Sequence, residues 1–227
     1  MTREPITEAA RFAALDALLK EPRASWAELM TLLAWWPASQ GQEQAVALAE
    51  AAAGRWQDGQ RDLPRIGMRH LLENKVPPYL RLLRTLDMMP LWRASDRARL
   101  LARMIHEAGM RRLHSFSIRY DDGPAIVREL VRHVEGLGHL YLGTCSVGDR
   151  ELIALARCPA MAGLHGLSLH GNHITDKGAL ALLSSPYLRQ ISYLNLYKNR
   201  ISPGVVAQLQ AAPWWQGDTL LLNAQRG

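Results

Sequence analysis

The stretch LSLHGNHITDKGALALLSSPYL, residues 167–188, decides how the chain is read. Its His170, Asn172, His173 and Asp176 have the chemistry of an active-site loop, but their spacing belongs to a repeat. Leu164, Leu167, Leu169, Asn172 and Ile174 read L-x-x-L-x-L-x-x-N-x-I. The pattern returns 27 residues later at Ile191, Leu194, Leu196, Asn199 and Ile201. It also stands 27 residues earlier at Leu137, Leu140, Leu142, Cys145 and Val147, with Cys in the Asn place. Pro159, Pro186 and Pro213 keep the same interval, as do Leu155, Leu182 and Leu209. Self-similarity at a fixed period marks an array of supersecondary units.

Each unit has a physical meaning. The L-x-L alternation predicts a short strand with its leucines on one side. The Asn or Cys turns the chain, and a buried Asn column (Cys145, Asn172, Asn199) is expected to bond the backbone of its own unit and the next. A helix follows, with Ser202 as N-cap and Pro203 at the first position. Thr175 and Asp176 open the equivalent helix one unit earlier. No unit can bury its apolar face alone, so stacked units share one core.

On these residues, 137–201 resemble leucine-rich repeats, and the helical half with its 27-residue period resembles the ribonuclease-inhibitor-like class. The resemblance implies an α/β solenoid: parallel strands on the concave face, helices on the convex face. Weaker units flank it. Leu113, Phe116 and Ile118 precede Asp121 at an interval of 24, and Leu83, Leu86 and Met88 give another, with a helix from about Ser95 to His106. Leu220 and Leu222, followed by a polar tail, predict a last strand, and Trp214 and Trp215 a cover for the core. The expected solenoid spans 81–227 in about six rungs, the first two irregular.

Residues 1–80 lack strand alternation and read as four helices, an all-α cap for the exposed first rung. They are 7–20; the segment after the Ser25–Glu28 capping box, up to Pro37; Gly41 to about Asp58; and about Arg61 to Asn74. Trp26, Trp35, Trp36 and Trp56 are expected to pack this region.

Composition narrows the function. No apolar run reaches transmembrane length and the N-terminus has no signal-peptide core, so a cytoplasmic protein is expected. Two cysteines, Cys145 and Cys158, suit reduced buried thiols. The net charge is +6, and residues 61–112 alone hold twelve Lys or Arg against five Asp or Glu. Solvated helix faces account for such a segment, with Arg stems covering apolar surface. The alternative is a binder of nucleic acid or an acidic surface.

Catalytic signatures are missing: there is no phosphate loop, no G-x-S-x-G and no H-E-x-x-H. His165, His170 and His173 fall on different faces of the unit, so no metal and no cofactor is expected. Asp121 and Asp122 read as a solvated turn. Alternation instead predicts an outward row on the strands: Ser115, Ser117, Arg119; His139, Tyr141, Gly143; Gly166, Ser168, His170; Tyr193, Asn195, Tyr197. Arg119, His139, Tyr141, His170, Tyr193, Asn195 and Tyr197 give it an aromatic and cationic character suited to a protein partner. The expectation is a non-enzymatic protein-interaction module, monomeric or weakly oligomeric, with nucleic acid and membrane not expected as partners.

Overall fold

The computed structural model describes residues 6–91, 96–215 and 219–222. Within them six short strands pair in chain order, all parallel. They are β1 (Thr85–Asp87), β2 (Ser115–Arg119), β3 (His139–Gly143), β4 (Gly166–Ser168), β5 (Tyr193–Asn195) and β6 (Thr219–Leu221). The register sets one central apolar residue of each strand beside the next: Leu86, Phe116, Leu140, Leu167, Leu194 and Leu220 form a continuous row. The strand-to-strand offset is 27 residues from β3 to β5, but 30 from β1 to β2 and 24 from β2 to β3.

Parallel neighbours need a crossover. Here it is a helix: α5 (Arg97–His106), α6 (Gly123–His133), α7 (Asp149–Ala156), α8 (Asp176–Leu183) and α9 (Pro203–Gln210). Each packs on the next, α5 on α6 through to α8 on α9. Their buried stripes, such as Ile126, Val127 and Leu130 on α6, meet the strand leucines in one core that runs from Leu15 to Leu222. The result is an α/β fold on a fully parallel sheet.

Four further helices precede the sheet: α1 (Glu8–Lys20), α2 (Trp26–Ala34), α3 (Gln42–Ala52) and α4 (Arg65–Leu72). Ser25 and Glu28 close a reciprocal capping box on α2. α3 ends at Ala52 rather than near Asp58, because residues 53–60 tighten into two 3₁₀ turns around Gly54 and Gly59. α4 begins only after Pro64, which has no N–H for a preceding helical turn. Trp26, Trp36 and Trp56 are buried, but Trp35 is 63% exposed at the C-cap of α2, contrary to the packing role expected of it. The helical part meets the edge of β1 through Arg61. Its carbonyl accepts the N–H groups of Arg84 and Thr85 at 2.8 and 3.0 Å, and its guanidinium donates to Leu82 O at 2.9 and 2.6 Å.

The turn after each strand repeats a backbone signature. Tyr120, Thr144, Gly171 and Lys198 occupy equivalent places and all have φ between 54° and 68°. Only Gly171 adopts this left-handed region without steric cost.

Two ladders tie the units together, one buried and one part-buried. Asn172 Oδ1 accepts the N–H groups of Cys145 (2.9 Å) and Val147 (3.0 Å), while its Nδ2 donates to Leu142 O and Leu169 O at 2.7 and 2.9 Å. Asn199 accepts from Ile174 N and donates to Leu169 O and Leu196 O. The amides thus reach back to the preceding unit rather than forward, as the sequence reading had them. The turn loops there leave their N–H groups facing C-terminally along the stack. Cys145 holds the same place with a weaker donor, its Sγ 3.3 Å from Gly143 O and 3.8 Å from Ile118 O. Cys145 and Cys158 are both free and buried.

The second ladder was not anticipated. Asp149 Oδ1 accepts the N–H groups of Thr175 (2.8 Å) and Gly178 (3.0 Å), and its Oδ2 accepts the Thr175 hydroxyl. Asp176 accepts Ser202 N–H at 2.7 Å. Ser202 sits at the N-cap position of α9 without a capping bond from its hydroxyl, so its unit is tied by Asp176. The signal was present in the sequence as two aspartates 27 residues apart at the start of successive helices.

The Asp121–Asp122 pair departs from a solvated turn. Asp121 is largely buried against Arg97, Nε to Oδ2 2.5 Å, and Asp122 caps α6 by accepting Ala125 N–H. Arg97 also donates to the carbonyls of Arg119 and Tyr120. A buried guanidinium therefore needs this carboxylate as its counter-charge. Ser95 and the polar tail at 223–227 lie outside the described residues.

Candidate binding face

Strand alternation places one set of side chains in the core and the other on the opposite face of the sheet. Ser115, Ser117, His139, Tyr141, Tyr193 and Asn195 are half-buried there, and Arg119 and Tyr197 are exposed. Ser168, Gly143 and Gly166 are instead covered, Ser168 being only 4% exposed. The cover comes from imidazoles. A β-carbon on Gly166 would stand 2.5 Å from His139 Nδ1, and one on Gly143 would overlap the ring of His170. His114 lies over Gly138 in the same way, with a β-carbon there 2.6 Å from its Cε1. Each histidine is seated on a glycine of the adjacent unit, a complementarity between units invisible to a search for metal or triad spacings.

A groove of about 500 Å³ crosses the middle of this face. Arg119, Tyr141, His170, Tyr193 and Asn195 line it, joined by Asp87 and Met89 from the β1 segment. Asp87 and Met89 were missed because β1 is the most irregular unit. Asp87 Oδ1 accepts the Ser117 hydroxyl at 2.7 Å, which holds the carboxylate at one end of the groove. Arg119 supplies positive charge, so both signs are presented.

The aromatic residues form a connected row. The His114 and His139 rings meet edge to face at 5.3 Å, His139 stacks on Tyr141 at 6.1 Å with a 12° tilt, and Tyr141 meets Tyr193 at 6.2 Å. Tyr141 Oη is 3.3 Å from His139 Nδ1, and Asn195 Nδ2 is 3.5 Å from Tyr193 Oη. Tyr197 stands apart from the groove at the rim, beneath Lys198, whose Nζ is 5.2 Å from the ring centre.

Burial holds the imidazole pKa of His139 below its ordinary value, with His114 and His165 adding repulsion. Burial does the same to His170, reinforced by Arg119 and Lys198. Burial and the neighbouring Tyr193 raise the Tyr141 hydroxyl. Between the charges of Asp87 and Arg119, the groove therefore presents the His170 imidazole and the Tyr141 phenol in their neutral forms at neutral pH. Ser168 Oγ lies 3.3 Å from His170 Nδ1, on a residue only 4% exposed at the floor of the groove. His165 and His173 point elsewhere: both are exposed, and His165 Nδ1 is 3.0 Å from Gln190 O.

Several cations of the basic segment are paired within the chain. Arg61 is buried, its pKa lowered to about 10 by burial and by Arg84. Arg81 pairs with Glu43 and Glu50, Arg97 with Asp121, Arg103 with Glu107 and Asn74, and Arg69 and Lys75 with Glu73. No helix among the described residues is long and apolar enough to cross a membrane. The chain matches no protein-family model, and no curated protein matches it.

Proposed function

We propose that this chain is a non-enzymatic protein-interaction module of the leucine-rich-repeat kind. Its solenoid of about six rungs, preceded by an all-α cap, holds a partner protein on its open strand face. The observation that carries this reading is the groove where Tyr141, Tyr193 and Asn195 stand beside Arg119, His170 and Asp87. Tyrosine and arginine give large contact area with few rotatable bonds and dominate binding hot spots. A solenoid leaves its inner sheet face uncovered, so this surface needs no rearrangement to receive a ligand.

The burial and pairing of Arg61, Arg81 and Arg97 favour a protein partner over nucleic acid. Phosphate binding requires free cations and shows a steep salt dependence.

The test is affinity capture from native lysate with wild type and with Tyr141→Ala/Tyr193→Ala, nuclease present. Purified candidate partners are then titrated against both proteins. A partner that binds wild type and loses at least tenfold affinity for the variant supports the reading. Capture that survives the double substitution but disappears with nuclease or moderate salt would transfer the function to the basic segment.

A further inference from the structure

The last turns of α5 and α6 bring together three side chains of types that can ligate a metal. His106 ends α5 and His133 ends α6, while Glu129 lies one turn before His133 on the same helical face. One potential donor atom from each of the three lies within 4.8 Å of the others. His106 Nε2 is 3.3 Å from Glu129 Oε2, and the two imidazoles meet edge to face at 4.7 Å. His106 and His133 are 27 residues apart, the repeat interval.

We propose that His106, Glu129 and His133 bind one divalent first-row transition-metal ion, with zinc the best fit. Donors on a tetrahedral zinc stand roughly 3.4 Å apart, given bonds of about 2.0–2.2 Å. The His106–Glu129 separation already has that value, and the trio closes by small side-chain rotations. Two imidazoles and a carboxylate suit zinc, not calcium or magnesium, which take oxygen ligands. The negative ends of two helix dipoles meet at the site and favour a cation. The His106 side chain is 51% exposed and Glu129 21%, so the ion has access, with its fourth position open to water. Bound metal would join the helices that follow β1 and β2, the two units separated by the irregular 30-residue offset.

The test uses untagged full-length protein stripped with a chelator. Zinc is titrated calorimetrically, and cobalt by its visible absorption. The expected result is saturable 1:1 binding with a tetrahedral cobalt spectrum. Affinity should drop at least tenfold in each of His106→Gln, Glu129→Gln and His133→Gln, and stay unchanged in His173→Gln, an exposed histidine elsewhere. Circular dichroism of the metal-free variants checks that each is folded. Absence of 1:1 binding, wild-type affinity in folded His106→Gln, or loss of binding in His139→Gln alone would overturn the assignment.

Discussion

The ring of His170 occupies the space that a β-carbon on Gly143 would need. Gly143 ends β3 and His170 lies two residues past β4, where the glycine leaves room for the imidazole at the wall of the groove. Gly143→Ala should therefore cost about 1–3 kcal/mol by overpacking. His170→Ala should recover much of that loss in the double variant, since the residues share one space. A double-mutant cycle by urea unfolding measures the coupling, and strict additivity would show that the ring simply swings away.

Asn172 bonds two N–H groups and two carbonyls at 3.0 Å or less while wholly buried. Asn172→Ala leaves these groups without partners or water. The expected loss is about 3 kcal/mol, as for other buried polar groups stripped of several bonds. Asn199→Ala should be comparable, and near wild-type denaturation midpoints in both would refute the ladder.

Asp149 accepts three hydrogen bonds from the following unit, while Asp176 accepts one. Asp149→Ala should lose about 2 kcal/mol and Asp176→Ala about 1 kcal/mol, the range of helix-cap and charge-assisted bonds. Thermal melting of the two variants checks the order, which matters more than either value.

Arg97 holds the turn bearing Arg119 and Tyr120 at the groove rim, with Asp121 as its counter-charge. Asp121→Asn keeps the shape but leaves the guanidinium buried without a charge partner. Removing one member of such a pair costs roughly 3 kcal/mol. Urea unfolding of the variant against wild type measures the loss.

Folding holds His139 and His170 neutral, with pKa values below that of a free imidazole. The unfolded chain therefore takes up protons first as pH falls. Stability should be full above about 6.5 and decline as pH drops through the lowered folded-state pKa values. Urea unfolding between pH 7.5 and 5 should show this slope, and His139→Gln/His170→Gln should flatten it. An unchanged slope would place the titration elsewhere.

Sequence alone determined whatever repeats at a constant interval. The leucine rows, the strand alternation, the Asn172 and Asn199 positions and the helix starts at Thr175 and Ser202 all follow from periodicities of 2 and 27 residues, because burial on one face imposes them. The opening helices were legible through caps and prolines, apart from the end of α3, which 3₁₀ turns cut short, and Trp35, whose exposure depends on where α2 ends. Tertiary structure decided everything that depends on a neighbour. The backward direction of the amide ladder follows from which N–H groups each turn leaves unpaired. The covering of Gly143 and Gly166 follows from strand register. Asp87 and Met89 reach the groove through the 30-residue offset of β1, and His106 meets Glu129 and His133 only where two helix ends pack. Distances across the stack are set by packing, which no local spacing records.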